Sequence, residues 1–146
     1  MNSQRFLLAG IVGGVVFFLL GWLLYGTLLA DFFNNNLWAA SMMKKEPDPM
    51  WALILGQLLG GFFLAYVIGK ANVASAGGGA MVGFVAGLLV CISLDLTFYG
   101  VGNFYNASPL KGIAADAIIS AVIAAITGGV IGWVYGMKKA TAPAAA

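Results

Sequence analysis

Four long stretches without a charged residue make up most of this chain and limit what it can fold into. They are 6–30, 49–69, 71–94 and 117–137. At about 1.5 Å of rise per residue, each stretch is long enough as a helix to cross a hydrocarbon core of roughly 30 Å. Because lipid offers backbone groups no hydrogen-bond partner and the runs do not alternate as barrel strands do, the spans are predicted to be helices. The predicted fold class is an all-α membrane protein.

Composition supports this class, because 62% of the 146 residues are hydrophobic and only 8% are charged. A soluble domain of this length would have too few polar side chains to cover its surface. We expect a single membrane domain, residues 1–146, built as an up-down bundle of four transmembrane helices with a flexible tail at 138–146. The predicted helices cover about 5–31, 49–70, 77–101 and 111–137.

The outer loop, 32–48, is the one sizeable segment predicted between the helices. Its side chains Leu37, Trp38, Met42 and Met43 are compatible with a short helix that lies on the membrane interface. A plain connector is an equally compatible interpretation of the same residues.

Lysine and arginine positions indicate how the chain is oriented in the membrane. With the amino terminus in the cytoplasm, four positive residues lie inside: Arg5, Lys70, Lys138 and Lys139. Three then lie outside: Lys44, Lys45 and Lys111. By the positive-inside rule, this excess predicts a multi-pass protein of the cell (inner) membrane with both termini in the cytoplasm. The lipid bilayer is its expected partner.

Several classes of function are disfavoured by what the composition lacks. There is no histidine, which argues against His-based acid–base catalysis and His ligation of haem or zinc. Cys91 is the only cysteine, so it forms neither an internal disulfide nor a cysteine metal cluster. A net charge of +2 is too small to suggest nucleic-acid binding. We therefore predict no metal, no cofactor and no nucleic-acid partner.

Small residues recur at every fourth position within the predicted helices. Such rows allow helix backbones to approach closely, which matters in lipid because burial of apolar surface does not by itself drive helices together. We therefore interpret most glycines in these rows as packing residues. The helix-packing positions are Gly10, Gly14, Gly61, Gly79, Gly83, Gly87, Gly128, Gly132 and Gly136.

Polar side chains concentrate toward the outer ends of the same helices and form the candidate site. This predicted polar layer is Tyr25, Gln57, Asp95, Tyr99, Asp116 and Ser120. A carboxylate near the bilayer centre costs about 2.5 to 3.5 kcal/mol on insertion scales, so Asp95 is expected to face the bundle. One hypothesis is an ion, proton or solute site, and the other is a structural tie from this carboxyl to Tyr25, Gln57 or Thr97. Asp116 is interpreted as a residue of the first helical turn, which the helix dipole favours.

Three segments give the chain a family resemblance: 18–26 (FLLGWLLYG), 61–66 (GFFLAY) and 79–84 (GAMVGF). With them the chain resembles the small bacterial membrane proteins grouped as domain of unknown function seventeen-sixty-one, and the likeness follows all four spans in order. That family's aromatic pair near the end of the first helix is similar to the region of Tyr25. Its aromatic or Asn-containing end of the third helix is similar to Asn103 or Asn106 here. The resemblance implies a four-helix membrane fold, and it assigns no activity and no role to Asp95.

The function predicted from these features is a helix-packing or accessory protein that self-associates or joins a larger membrane complex. Small-residue rows outnumber polar positions, and four short spans leave little room for a translocation route. The alternative is an ion, proton or small-solute channel or carrier that uses the polar layer around Asp95. An enzyme is not predicted, since the polar residues lack an arrangement characteristic of a known reaction.

Overall fold

The computed structural model of the protein describes residues 3–42 and 49–137. Five α-helices follow one another in these ranges: α1 (Ser3–Leu23), α2 (Ala30–Asn36), α3 (Met50–Lys70), α4 (Ala76–Val101) and α5 (Leu110–Gly136). A π-helical turn (Leu24–Leu28) extends α1, and a short 3-10 helix (Ala40–Met42) follows α2. The described residues contain no strand, only an isolated bridge between Trp38 and Tyr105.

Four of these helical segments are long and apolar enough to cross a membrane. They are Ser3–Leu28, Met50–Lys70, Ala76–Val101 and Leu110–Gly136. The prediction of an all-helical chain with four apolar spans is thereby confirmed. The predicted tail at 138–146 lies outside the described residues, as do Met43, Lys44 and Lys45 of the predicted outer loop.

The first span ends differently from the predicted helix at 5–31. Regular α-helix stops at Leu23, and the backbone N–H of Leu29 donates to the carbonyl of Leu24 at 2.8 Å, an i to i+5 bond. The hydroxyl of Thr27 donates to the carbonyl of Leu23, and such bonds compete with the regular helical ladder. The π-helical turn that results contains Tyr25, and turns of this kind are frequent at functional sites.

The predicted outer loop at 32–48 begins with a helix that the sequence analysis did not foresee. α2 includes its first five residues, Phe32 to Asn36, and Phe33 of this helix is buried. Leu37 is fully buried, and Trp38 pairs with Tyr105, so these two residues do not form the interfacial helix considered for this loop. The reason is that the preceding aromatic residues give the segment an apolar cluster of its own to join.

A tight turn joins α3 to α4 and depends on one left-handed residue, Asn72, whose φ is 54°. The N–H of Asn72 donates to the carbonyl of Gly69 at 3.2 Å, and the N–H of Val73 donates to that of Ile68 at 3.2 Å. These two bonds form a Schellman motif, which ends a helix by satisfying its last carbonyls. Ser75 then caps α4 by accepting a bond from the N–H of Gly78 at 3.2 Å.

α5 is the central helix of the bundle. Half of the residues in its most apolar window are buried (50%), against 22%, 22% and 17% in the other three spans. α5 contacts α1, α3 and α4 as well as the short α2, and its contact with α4 is the most extensive in the molecule. The remaining surface of the spans is apolar and exposed, as expected for helices that face lipid.

The two ends of the bundle differ in composition. At the glycine end, which contains Gly79, Gly83, Gly128 and Gly132, the apolar cluster is Ala9, Leu64, Ala65, Ile68, Ile131 and Val134. At the polar end, which contains Tyr25, Asp95 and Asp116, the cluster is Phe33, Leu37, Tyr105 and Ile113. The second cluster comes mostly from the segments that connect the spans.

Backbones approach closely at the glycine end. A Cβ atom added to Gly83 would collide with the carbonyl oxygen of Ala124, and one added to Gly79 would collide with that of Gly128. Every glycine predicted to pack has another part of the chain in the place that a side chain would occupy. By contrast, a Cβ on Gly56 of α3 would meet open space.

Candidate functional site

A cavity of about 500 Å³ lies at the polar end, between the four spans. This volume falls in the range of ordinary small-molecule sites, roughly 300 to 1,000 Å³. Most of its wall is apolar or aromatic, with Phe17, Phe63 and Phe98 among the lining residues. Its polar lining residues are Tyr25, Gln57, Cys91, Asp95, Tyr105, Asp116 and Ser120.

Asp116 forms the first of two carboxylate–tyrosine pairs in this cavity. The hydroxyl of Tyr25, on the π-helical turn of the first span, donates to Oδ1 of Asp116 on α5. The Oγ of Ser120 lies 3.0 Å from the same hydroxyl. Because the single hydroxyl proton of Tyr25 points to the carboxylate, Ser120 is the donor to Tyr25. The interpretation of Asp116 as a first-turn residue is wrong: it is the seventh residue of α5, and it is buried.

Asp95 forms the second pair. The hydroxyl of Tyr105 donates to Oδ1 of Asp95 at 2.7 Å, and the thiol of Cys91 lies 3.5 Å from Oδ2, one helical turn away. The structural tie considered for Asp95 was to Tyr25, Gln57 or Thr97, and this choice of partners is wrong, since the bonds to Asp95 come from Tyr105 and Cys91. Tyr25 is bound to Asp116, whereas the hydroxyl of Thr97 donates to the carbonyl of Ser93 in its own helix at 2.7 Å.

Tyr105 reaches the cavity because the two connecting segments pair with each other. The N–H of Ala39 donates to the carbonyl of Phe104 at 3.1 Å, and the N–H of Asn106 donates to that of Leu37 at 2.9 Å. Tyr105 is thereby buried outside the spans. Burial raises the pKa of its hydroxyl, and the hydrogen bond to Asp95 raises the pKa further. Tyr105 therefore stays protonated at neutral pH and remains a donor.

The two carboxylates lie close together. One oxygen each from Asp95 and Asp116 and the sulfur of Cys91 all lie within 4.8 Å of one another. These atoms are able to ligate a metal ion, and carboxylate oxygens also attract any other cation. The absence of a metal and of a cofactor, predicted from the sequence, stays a prediction.

No lysine or arginine lines this cavity in the described part of the chain. Arg5 donates to the carbonyl of Tyr135 at 3.0 Å at the opposite end of the bundle. Lys70 and Lys111 lie over the aromatic rings of Tyr66 and Phe32. Two ionised carboxylates at this separation repel each other, and each is expensive in a medium of low polarity. A proton or a bound cation has to compensate their charge.

Five of the six residues in the predicted polar layer line this one cavity: Tyr25, Gln57, Asp95, Asp116 and Ser120. Tyr99 does not, because it is exposed and lines a separate depression with Asn103 and Asn106. The sequence analysis did not assign Tyr105 and Cys91 to the site. Cys91 had a detectable signal, since it lies four residues before Asp95, but Tyr105 lies in a connection where helical spacing gives none.

Comparison of the chain with protein-family models, with curated proteins and with solved structures finds no match. The resemblance to domain of unknown function seventeen-sixty-one therefore stays a prediction, and the site has to be interpreted from its own geometry.

Proposed function

We propose that this protein is a small multi-pass membrane protein that binds a cation in the cavity at its polar end, as a carrier or channel would. The observation that carries the proposal is the juxtaposition of Asp95 and Asp116, two buried carboxylates from different helices on the wall of one cavity. This proposal favours the second of the functions considered from the sequence. It keeps the prediction that the protein is not an enzyme.

The hydrogen bonds to the carboxylates support binding in preference to a purely structural role. A tie between helices needs one donor and one acceptor, and the pair of Tyr25 and Asp116 already joins the first span to α5. Asp95 adds a second negative group beside the first without an additional positive partner among the lining residues. Since an uncompensated carboxylate in a membrane is costly, its placement beside a cavity favours a role in holding a positive ligand.

We further propose that the spans form an up-down bundle held together by the rows of small residues. The contacts between α4 and α5 support opposite directions, because Gly79 lies near Gly132 whereas Gly87, two turns later, lies near Ser120. Glycine at these contacts lets the two backbones touch, and such close van der Waals packing is one of the contributions that drive helix association in lipid.

In the proposed orientation, the glycine end lies on the cytoplasmic side of the cell (inner) membrane. The bond from Arg5 to the carbonyl of Tyr135 supports a location of both ends of the described chain on the same side of the membrane. Reporter fusions at the amino terminus, near Lys44 and after Lys139 test this orientation. We expect cytoplasmic signals from the first and third fusions, and an external signal from the third would overturn the proposal.

The test of cation binding is ligand-dependent stabilisation of the purified full chain in mild detergent. A cation that binds the folded state raises the melting temperature by mass action. Sodium, potassium, calcium, manganese, tetramethylammonium and tetraphenylphosphonium are compared at one ionic strength. We expect at least one to stabilise the protein, and the Asp95→Asn, Asp116→Asn double variant to lose the effect. Asp31→Asn is the control, since Asp31 is exposed in α2.

The proposal fails if none of these cations stabilises the protein, or if the double variant responds as the unchanged protein does. Proteoliposomes then separate a carrier or channel from a protein that only binds. Flux of the stabilising cation above that of protein-free vesicles, lost in the double variant, supports transport.

A second candidate function is the accessory role favoured by the sequence, in which the chain self-associates or joins a larger membrane complex. It is supported by the small buried share of α3 and α4, 22% and 17%, which leaves wide apolar faces for a partner helix. The mass of the particle extracted from the native membrane in mild detergent tests it. A particle with the mass of one 15.1 kDa chain plus detergent contradicts this role.

A further inference from the structure

The cavity at the polar end lies between two helices that hardly touch, and this feature bears on what the proposed cation is. α3 contributes Gln57, Gly60, Phe63 and Leu64 to the wall, and α4 contributes Ala86, Gly87, Val90, Cys91 and Leu94. A tight turn at Asn72 connects α3 directly to α4. Even so, the contact between these two helices is among the sparsest of the helix pairs. The cavity therefore occupies a gap in the side of the bundle.

Several of these lining residues are also partly exposed. Phe63 of α3 is 54% exposed, and Leu94 and Val90 of α4 are 51% and 46% exposed. At the polar end of the bundle, by contrast, the paired connecting segments bury Leu37 and Tyr105 above the cavity. Apolar side chains of α3 and α4 therefore line the cavity on the side where these two helices contact each other least.

The wall of the cavity combines two kinds of surface. Asp95 and Asp116 lie on the buried side, formed by α4 and α5, and supply negative charge. Phe17, Phe63 and Phe98 supply aromatic surface to the same wall. A cation is attracted both by carboxylates and by the faces of aromatic rings, and hydrocarbon is accommodated by the remaining apolar wall. A small hydrated ion is attracted by the carboxylates alone and gains nothing from the apolar part of the wall.

From this arrangement we infer that the ligand is an amphiphilic organic cation, which enters from the lipid through the gap between α3 and α4. Its positive group lies against Asp95 and Asp116, and its apolar part lies between Phe63 and Val90. The inference rests on the proposed function, because it requires the two carboxylates to hold a cation. It adds the ligand's chemical class and its route.

Binding of three probes to the purified full chain in mild detergent tests the ligand class. Tetraphenylphosphonium is an apolar cation, tetraphenylborate has the same shape with a negative charge, and tetramethylammonium is a cation with little apolar surface. We expect saturable binding of radiolabelled tetraphenylphosphonium. Neither of the other two probes should displace it at equal concentration.

Variants then locate the binding. We expect the Asp95→Asn, Asp116→Asn double variant to bind tetraphenylphosphonium at least about tenfold more weakly, because a buried positive charge loses its partners. Asp31→Asn should bind as the unchanged protein does. For the route, Val90→Trp should weaken binding or slow association at least about tenfold by filling the gap, a loss worth roughly 1.4 kcal/mol.

Val85→Trp is a matched control for the route, because Val85 is also in α4 and 46% exposed but does not line the cavity. Equal effects of the two tryptophan variants would overturn entry between α3 and α4. Equal binding of tetraphenylborate would show adsorption to apolar surface and overturn the inference. If tetramethylammonium or an inorganic cation stabilises the protein through Asp95 and Asp116 while tetraphenylphosphonium does not bind, the proposed function stands and the inference fails. If no cation binds, both fail.

Discussion

The same four spans form the glycine end and the polar end of this bundle, yet the two ends are packed differently. At the glycine end Gly79 and Gly83 of α4 bring its backbone against α5, so that side chains are excluded. Toward the polar end the same face of α4 carries Cys91 and Asp95, which line the cavity. The difference indicates that close packing of α4 on α5 allows a cavity to remain between α4 and α3 at the polar end, because the contact that holds α4 in the bundle is already made.

The largest expected effect comes from breaking the glycine end. In Gly83→Leu a branched side chain meets the carbonyl of Ala124, so α4 and α5 are forced apart. Overpacking of this kind costs up to about 3 kcal/mol and more where backbone is in the way. We expect a clearly lower melting temperature in detergent, followed by near-ultraviolet circular dichroism, and a changed oligomer size if the bundle opens. Gly132→Leu should behave in the same way.

Gly56→Leu is the control for this prediction, since a side chain at Gly56 meets open space. It should melt within a few degrees of the unchanged protein. Melting of Gly83→Leu at the temperature of Gly56→Leu would show that the close approach of α4 and α5 is dispensable for the stability of the bundle.

A smaller effect is expected when a carboxylate is removed from the polar end. Asp95→Leu leaves the hydroxyl of Tyr105 and the thiol of Cys91 without their acceptor, and a buried donor left unpaired costs about 1 to 3 kcal/mol. Asp95→Asn keeps an acceptor oxygen, so its loss of stability should be about 1 kcal/mol or less. Thermal melting measures both variants, with cation binding as the second readout.

The two readouts separate a tie from a binding group. If Asp95 binds a cation, Asp95→Asn keeps most of the stability and loses the response of the melting temperature to that cation. If Asp95→Asn responds to cations as the unchanged protein does, the carboxylate is structural only, and the polar end is a second packing device.

Removing one hydroxyl from the connecting segments should have a still smaller effect. Tyr105→Phe deletes the bond to Asp95 and should cost about 1 kcal/mol. Because the pKa of Tyr105 is raised by burial, its contribution is present below the ordinary tyrosine pKa of about 10 and is lost as pH rises above that value. The melting temperature of Tyr105→Phe should therefore fall less steeply at alkaline pH. Tyr99→Phe, at an exposed position, is the control and should keep the steeper fall.

The smallest effect is expected at Thr127, and its sign is opposite. This residue lies beside Gly128 and is fully buried, and its hydroxyl has no hydrogen-bond partner among the described residues. Thr127→Val removes an unpaired polar atom and should stabilise the protein by up to about 1 kcal/mol. Thr97→Val, which deletes a bond to the carbonyl of Ser93, should not stabilise it. A destabilised Thr127→Val variant would show that the hydroxyl of Thr127 contributes to the stability of the glycine end.

The four spans were predictable from long apolar runs, and most of the polar layer was predictable from the spacing of residues along a helix. Residues four apart share a helix face, so Cys91, Asp95 and the glycines before them fall on one side of α4. The pairing of Tyr25 with Asp116 was not predictable, because it depends on the rotation of two helices about their axes. Tyr105 was missed for another reason: its position depends on backbone bonds between two connections.

The short helix α2 and the π-helical turn also escaped prediction. α2 has only seven residues and no capping side chain, so neither periodicity nor an end signal marks it. The π-helical turn arises where Thr27 bonds to the carbonyl of Leu23, and this depends on a rotamer that the sequence does not specify.

The central position of α5 has a consequence for how the protein is made. The other four α-helices all contact α5, yet α5 is the last of the five to be synthesised. Until α5 has been inserted, the first span lies in the bilayer without its hydrogen-bond partners, the carboxylate of Asp116 and the carbonyl of Tyr135. Assembly is therefore a late event after membrane insertion, and a chain interrupted before α5 would present Tyr25 and Arg5 without the groups they bind.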